Sequence, residues 1–97
     1  MGSYRLARRA ETDLQDIWDY TESTWSTEQA EKYLDGLFSR FQAIADGRAK
    51  AISIDAIRVG YRKTLFVKHN IFFRKTANGV IEIVRVLHVS MDVDLHI

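Results

Sequence analysis

Apolar residues recur at two rhythms along this chain, helical through its first half and strand-like in its last third. Tyr4 and Leu6 share one face of a short alternating segment, so residues 3–7 read as a brief strand. Ala10, Leu14, Ile17, Trp18 and Thr21 then follow at spacings that fall on one stripe of a helix from about Arg9 to Thr24, with Glu11, Asp13, Asp16 and Asp19 facing away from it. Ser26 followed by Gln29 has the spacing of a capping box, which satisfies the free amides at a helix start. A second helix begins there. Ala30, Tyr33, Leu34, Leu37, Phe38, Phe41, Ile44 and Ala45 hold its register, and Gly47 stands where a left-handed cap residue is favoured. By this spacing Trp18, Tyr33, Phe38 and Phe41 are core residues. The short connection predicts an antiparallel helical hairpin.

Residues 48–59 lack periodicity and read as a connecting loop, with a brief extended stretch at residues 51–54. Gly60 opens a strand over residues 61–67, which turns near Lys68-His69-Asn70 into a second strand over residues 71–76. Ala77-Asn78-Gly79 is a hairpin turn, because Asn and Gly tolerate positive φ, and residues 80–89 form the last strand.

The order strand, helix, helix, strand, strand, strand predicts an α+β fold, with the helical hairpin packed on one face of a mostly antiparallel sheet completed by three C-terminal strands. One domain spans residues 1–97. A sheet covered on one side should alternate apolar and polar residues. Ile71-Phe72-Phe73, Val80-Ile81, Ile83-Val84 and Val86-Leu87 instead place apolar residues on both parities. Such strands are either central and curled, or they present an open face that a partner covers.

Composition narrows the function classes. The 14 Lys plus Arg and 13 Asp plus Glu leave a net charge of +1, weak support for a protein that grips many phosphates, so direct sequence-specific nucleic-acid binding is not expected. The charges are segregated, however: acids (Glu11, Asp13, Asp16, Asp19, Glu22, Glu28, Glu31 and Asp35) concentrate in the first half, while Arg58, Arg62, Lys63, Lys68, Arg74, Lys75 and Arg85 bias the second half toward base. The chain has no cysteine, hence no disulfide framework, and it carries neither a signal-like apolar start nor a run long enough to span a bilayer. The expected location is the cytoplasm.

The ordered set Tyr4-Arg5-Leu6-Ala7-Arg8-Arg9-Ala10, Asp13-Leu14, Asp16-Ile17-Trp18-Asp19-Tyr20, Trp25, Gln29-Ala30 and Tyr33 resembles the opening of ParE toxins of bacterial type II toxin–antitoxin modules. So do Asp55-Ala56-Ile57-Arg58-Val59-Gly60-Tyr61-Arg62-Lys63, His69, Phe72-Phe73-Arg74, Ile83-Val84-Arg85-Val86-Leu87-His88 and Met91-Asp92. The resemblance implies a RelE/ParE-type fold and a toxin that inhibits DNA gyrase without enzymatic chemistry or cofactor. It also implies a cognate ParD-like antitoxin that wraps the toxin and buries its apolar surface. On that reading Phe72, Phe73, Ile81, Ile83 and Leu87 are antitoxin-binding candidates. Arg58, Arg62, Lys63, His69, Arg74, Arg85, His88 and Met91 are target-interaction candidates. The chain departs from the family at Ala51-Ile52-Ser53, where Gly-Arg-Pro is frequent, at Val59, where proline is common, and at Val89, in place of a frequent glutamine.

Arg85 and His88 interrupt an apolar strand, and strand alternation sends them to opposite faces unless a bulge intervenes. The bland expectation for both is that Arg85 pairs with a nearby carboxylate and His88 is a satisfied histidine at the sheet end. The related RelE branch cleaves messenger RNA, which needs a base for the ribose 2′-hydroxyl, an acid, and cations for the phosphorane. Arg62, Arg74 or Arg85 offers the charge and His88 the base, but the tail lacks the basic, tyrosine-bearing end associated with that branch. Asp92, Asp94 and His96 alternate and would share one side of an extended tail, yet a metal site needs more ligands held in fixed geometry, so none is expected. Ser90, two residues from His88, is no nucleophile–base pair on sequence proximity alone.

Overall fold

The apolar stripes of the first half meet the expected sheet in a computed structural model that describes residues 2–97. Strand β1 (Tyr4–Leu6) leads into helices α1 (Arg8–Thr24) and α2 (Thr27–Ala45). Strands β2 (Ile52–Ser53), β3 (Tyr61–Phe66), β4 (His69–Lys75) and β5 (Ile81–His88) follow, then the one-turn helix α3 (Val93–His96). The sheet runs in the order β1-β5-β4-β3-β2, with β1 parallel to β5 and the other neighbours antiparallel. The α+β architecture is the one expected. The loop stretch at residues 51–54 contributes β2 as a short edge strand, and the tail is helical at residues 93–96 rather than extended.

Local chemistry explains the helix boundaries. The Ser26 hydroxyl accepts the Gln29 amide at 3.0 Å and starts α2, while Gly47, at φ 75°, follows its last turn. The β3–β4 turn is shorter than expected. Val67 takes a positive φ of 53°, and His69 and Asn70 already pair in β4, opposite Phe66 and Leu65. This registers His69 directly across from His88 on β5.

The main core lies between the hairpin and the sheet: Leu14 and Ile17 of α1, Leu37, Phe41 and Ile44 of α2, and Ile71, Phe73, Ile81, Ile83 and Val86 of the sheet. Trp18 and Tyr33 flank it, but Phe38, expected inside, is 40% exposed and meets Phe41 edge-on. Asp13, expected in solvent, is buried instead.

A β-bulge accounts for the two-sided apolar pattern. Phe73 opposes Ile83 whereas Phe72 opposes Arg85, so Val84 is an extra residue on β5. Ile83 and Val86 therefore both face the helices despite an odd spacing, and Leu87 falls on the other face. That second face is not open. Ile54, Phe72 and Leu87 form a small separate cluster beneath Tyr61, Val93 and Ile97, because the β2–β3 connection and the tail fold back over it. The open apolar face expected of Phe72, Phe73, Ile81, Ile83 and Leu87 is thus corrected: all five are buried within the chain itself.

Candidate functional site

Asp13 lies on α1 beside the stretch of β5 that runs past the end of β1. Its carboxylate accepts hydrogen bonds from Arg85 Nε and Nη2, each at 2.8 Å, and from the Val86 amide at 2.9 Å. One acidic residue thereby closes a sheet edge and neutralises a cation. The same hydrogen bonds, with the Asp13 charge behind them, raise the Arg85 guanidinium above its ordinary pKa despite partial burial. This is the carboxylate partner expected for Arg85, although sequence periodicity set Asp13 on the wrong side of α1. The lone arginine inside an apolar strand was the signal that a buried acid must exist.

Arg85 also reaches the tail, donating from Nη1 to the His96 carbonyl at 2.9 Å. Arg58 donates to the Ile97 carbonyl at 3.1 Å and lies over the Tyr61 ring. These two cations strap α3 against Phe72 and Leu87. The Asp92 side chain accepts the Asp94 amide, so Asp92, Asp94 and His96 sit in a capped helical turn rather than along one side of an extended tail.

His69 and His88 face the helical layer, their rings edge-to-face with centroids 5.4 Å apart. Tyr33, to which spacing assigned only a core role, brings its hydroxyl to 2.6 Å from His69 Nδ1. Burial first, and the neighbouring His88 second, push His69 down to about 4, so the ring is neutral near pH 7; Asp13 opposes that shift weakly. Burial likewise raises Tyr33, which keeps its proton. His88 Nδ1 accepts the Ser90 amide at 3.1 Å and lies 2.8 Å from the Ser90 hydroxyl. His88 is the satisfied sheet-end histidine expected.

The remaining target candidates are dispersed. Arg74 pairs with Glu82 at 2.8 Å, and Arg5 holds the other oxygen of the same carboxylate at 3.2 Å. Burial works to raise Glu82, but the hydrogen bonds and charges of Arg74 and Arg5 prevail and lower it. Met91 is half exposed. Arg62 and His88 belong to the helix-facing parity, Arg74 and Arg85 to the opposite one, so these four do not converge on one point. Arg62 and Lys63 instead border a cleft of about 790 Å³ at the β3 edge, together with Lys50, which nothing in the sequence singled out.

Comparison with known proteins agrees with this architecture. The family model for the ParE toxin of type II toxin–antitoxin system, parDE, matches residues 4–93. The chain is 42% identical over 91 residues to Toxin ParE1 of Mycobacterium tuberculosis, covering 94% of this chain and 93% of that protein. It is 39% identical over 97 residues to Toxin ParE1 of Caulobacter vibrioides, covering 100% and 99%. Its fold resembles a chain of the chromosomal ParDE TA system from P. aeruginosa, with a TM-score of 0.76 at 23% identity, covering 93% of this chain and 98% of that one.

Proposed function

The chain belongs to the ParE toxin family of type II toxin–antitoxin systems, and on that premise we propose that it inhibits DNA gyrase by binding and is neutralised by a ParD-like antitoxin. The observation that carries the reading is likeness to two proteins named Toxin ParE1 over nearly the whole length of each. The site geometry supports binding rather than catalysis. Two of the three strand cations that could steady a phosphorane are engaged by carboxylates, Arg85 by Asp13 and Arg74 by Glu82, and the third, Arg62, donates to the Ala51 carbonyl. The two histidines are turned into the helical layer, away from Arg74 and Arg85, and the His69 ring is packed against Tyr33. Residues 1–97 then act as one toxin domain in the cytoplasm.

The exposed target-facing groups under this reading are Arg58, Arg62, Lys63 and Met91, while His69, Arg74, Arg85 and His88 shape the surface from within. Of the antitoxin candidates, Phe72 and Leu87 lie directly beneath the tail and shape that outer face from within. Phe73, Ile81 and Ile83 support that surface from the core side.

Expression of the chain without its partner in cells is the test. Filamentation, the DNA-damage response and inhibition of supercoiling by purified gyrase are the expected results. Rapid translation arrest with cut messages and intact DNA would overturn the gyrase reading in favour of a ribonuclease. Absence of toxicity together with tight antitoxin binding would overturn the gyrase reading in favour of an inactive toxin that only binds its antitoxin.

A further inference from the structure

The sheet's cations divide into two groups. Arg5 and Arg74 share Glu82, and Arg85 has Asp13. Among the described residues no carboxylate pairs with Lys50, Arg62 or Lys63, and these three line the cleft of about 790 Å³ without an acidic neighbour in its walls. Arg62 donates to the Ala51 carbonyl at 3.2 Å, which leaves Lys50 and Lys63 as the unengaged cations, and such charges focused in a concavity attract an anionic ligand.

The rest of the cleft says which kind. Strand β2 pairs with β3 only at Ile52↔Lys63 and Ser53↔Arg62, whereas β3 continues to Phe66, so the sheet edge is uncovered beyond Lys63. Arg40 donates to the Leu65 carbonyl at 2.9 Å, and the Thr64 hydroxyl donates to the Lys50 carbonyl at 2.7 Å, which hold this edge in shape. Ile52 and Leu65 are 61% and 55% exposed, and alternation puts them on the same face as Lys63. On that face Lys63 lies between Ile52, directly across from it, and Leu65, two residues on, with Asn70 as a further polar wall, while Arg62 belongs to the opposite parity. A nucleic acid strand would gain little from the apolar positions, and a chain of net charge +1 lacks the broad basic field that phosphate binding rests on.

We propose that this cleft holds an extended acidic peptide whose carboxylates meet Lys50 and Lys63 while intervening apolar side chains cover Ile52 and Leu65. The peptide is a segment of the antitoxin that covers the target-facing Lys63 and so blocks the target, and the inference rests on the antitoxin reading above. Electrostatic complementarity of this kind sets the association rate and partner choice more than total affinity.

The test is the double variant Lys50→Glu/Lys63→Glu of the full chain, titrated with its purified cognate ParD-like antitoxin. Circular dichroism and a thermal midpoint check that the variant folds, as expected for side chains that make no hydrogen bond among the described residues. Affinity should fall at least about tenfold, most of it in the association rate, with a flatter dependence on salt. Acid-to-Lys changes in the antitoxin segment should restore it. Wild-type binding with unaltered affinity in the variant would overturn the cleft assignment and leave the antitoxin reading standing. Failure of the wild type to bind would overturn the antitoxin reading, and the assignment with it. A short single-stranded RNA that binds the wild type and not the variant, with antitoxin affinity unaffected, would overturn the peptide in favour of nucleic acid.

Discussion

Replacing Asp13 by alanine should destabilise this protein more than any surface substitution on α1, and the structure says by how much. Asp13 accepts three hydrogen bonds, two from the Arg85 guanidinium and one from the Val86 amide, and the pair's side chains are only 14% and 10% exposed. A hydrogen bond to a charged group contributes about 1.5–3 kcal/mol, but a bidentate pair is one unit and its bonds do not add. Breaking a buried ion pair from one side costs about 3–5 kcal/mol, because the other charge stays uncompensated. Arg85 keeps the His96 carbonyl and some access to water, which places the cost at the low end, about 3 kcal/mol. Domains of this size shift by about 4–8 °C per kcal/mol, so the thermal midpoint should fall by about 15 °C. Urea unfolding followed by circular dichroism measures the loss directly. The double variant Asp13→Ala/Arg85→Met removes the orphaned charge and should be no less stable than Asp13→Ala alone, giving a coupling of about 2 kcal/mol or more. A loss below about 1 kcal/mol for Asp13→Ala, or strictly additive effects, would refute the claim that this pair ties α1 to β5.

Two further outcomes follow from the same contacts. His69 has a folded-state pKa of about 4 against 6.5 unfolded, so between those values the unfolded chain binds more protons and stability rises with pH; the full contribution is present above pH 6.5 and is lost as pH falls toward 4. The loss across that window is at most about 3–4 kcal/mol, and His69→Phe should flatten the slope in urea titrations at several pH values; an unchanged slope would assign it to other groups. Gly36→Ala, a substitution that gains about 1 kcal/mol in an exposed helix interior, should instead destabilise by about 1–2 kcal/mol. A Cβ there would meet Phe66 Cζ at 2.5 Å, and that ring is wedged between Tyr33 and Arg40. A raised thermal midpoint would show that the ring moves freely.

The elements of this fold are written in its local patterns. The helical stripes of α1 and α2, the Ser26 cap, the Gly47 stop and the Asn78-Gly79 turn each rest on forces acting within a few residues, which is why they are legible without the fold. Composition likewise bounded the charge, the absence of cysteine and the single-domain size. Long-range geometry decided the rest. The Val84 bulge depends on how β4 and β5 align, and it alone determines that Ile83 and Val86 face one side and Leu87 the other. Asp13 reads as an outward residue on a helix, yet docking of α1 beside the β5 edge turns it inward to Arg85, 72 positions away. The two-sided apolar strands suggested an absent partner, whereas the tail and the β2–β3 connection supply the cover themselves. Periodicity reports which face of an element is apolar, but which surface meets that face is set only when distant segments pack, and the cleft at Lys50, Arg62 and Lys63 exists only there.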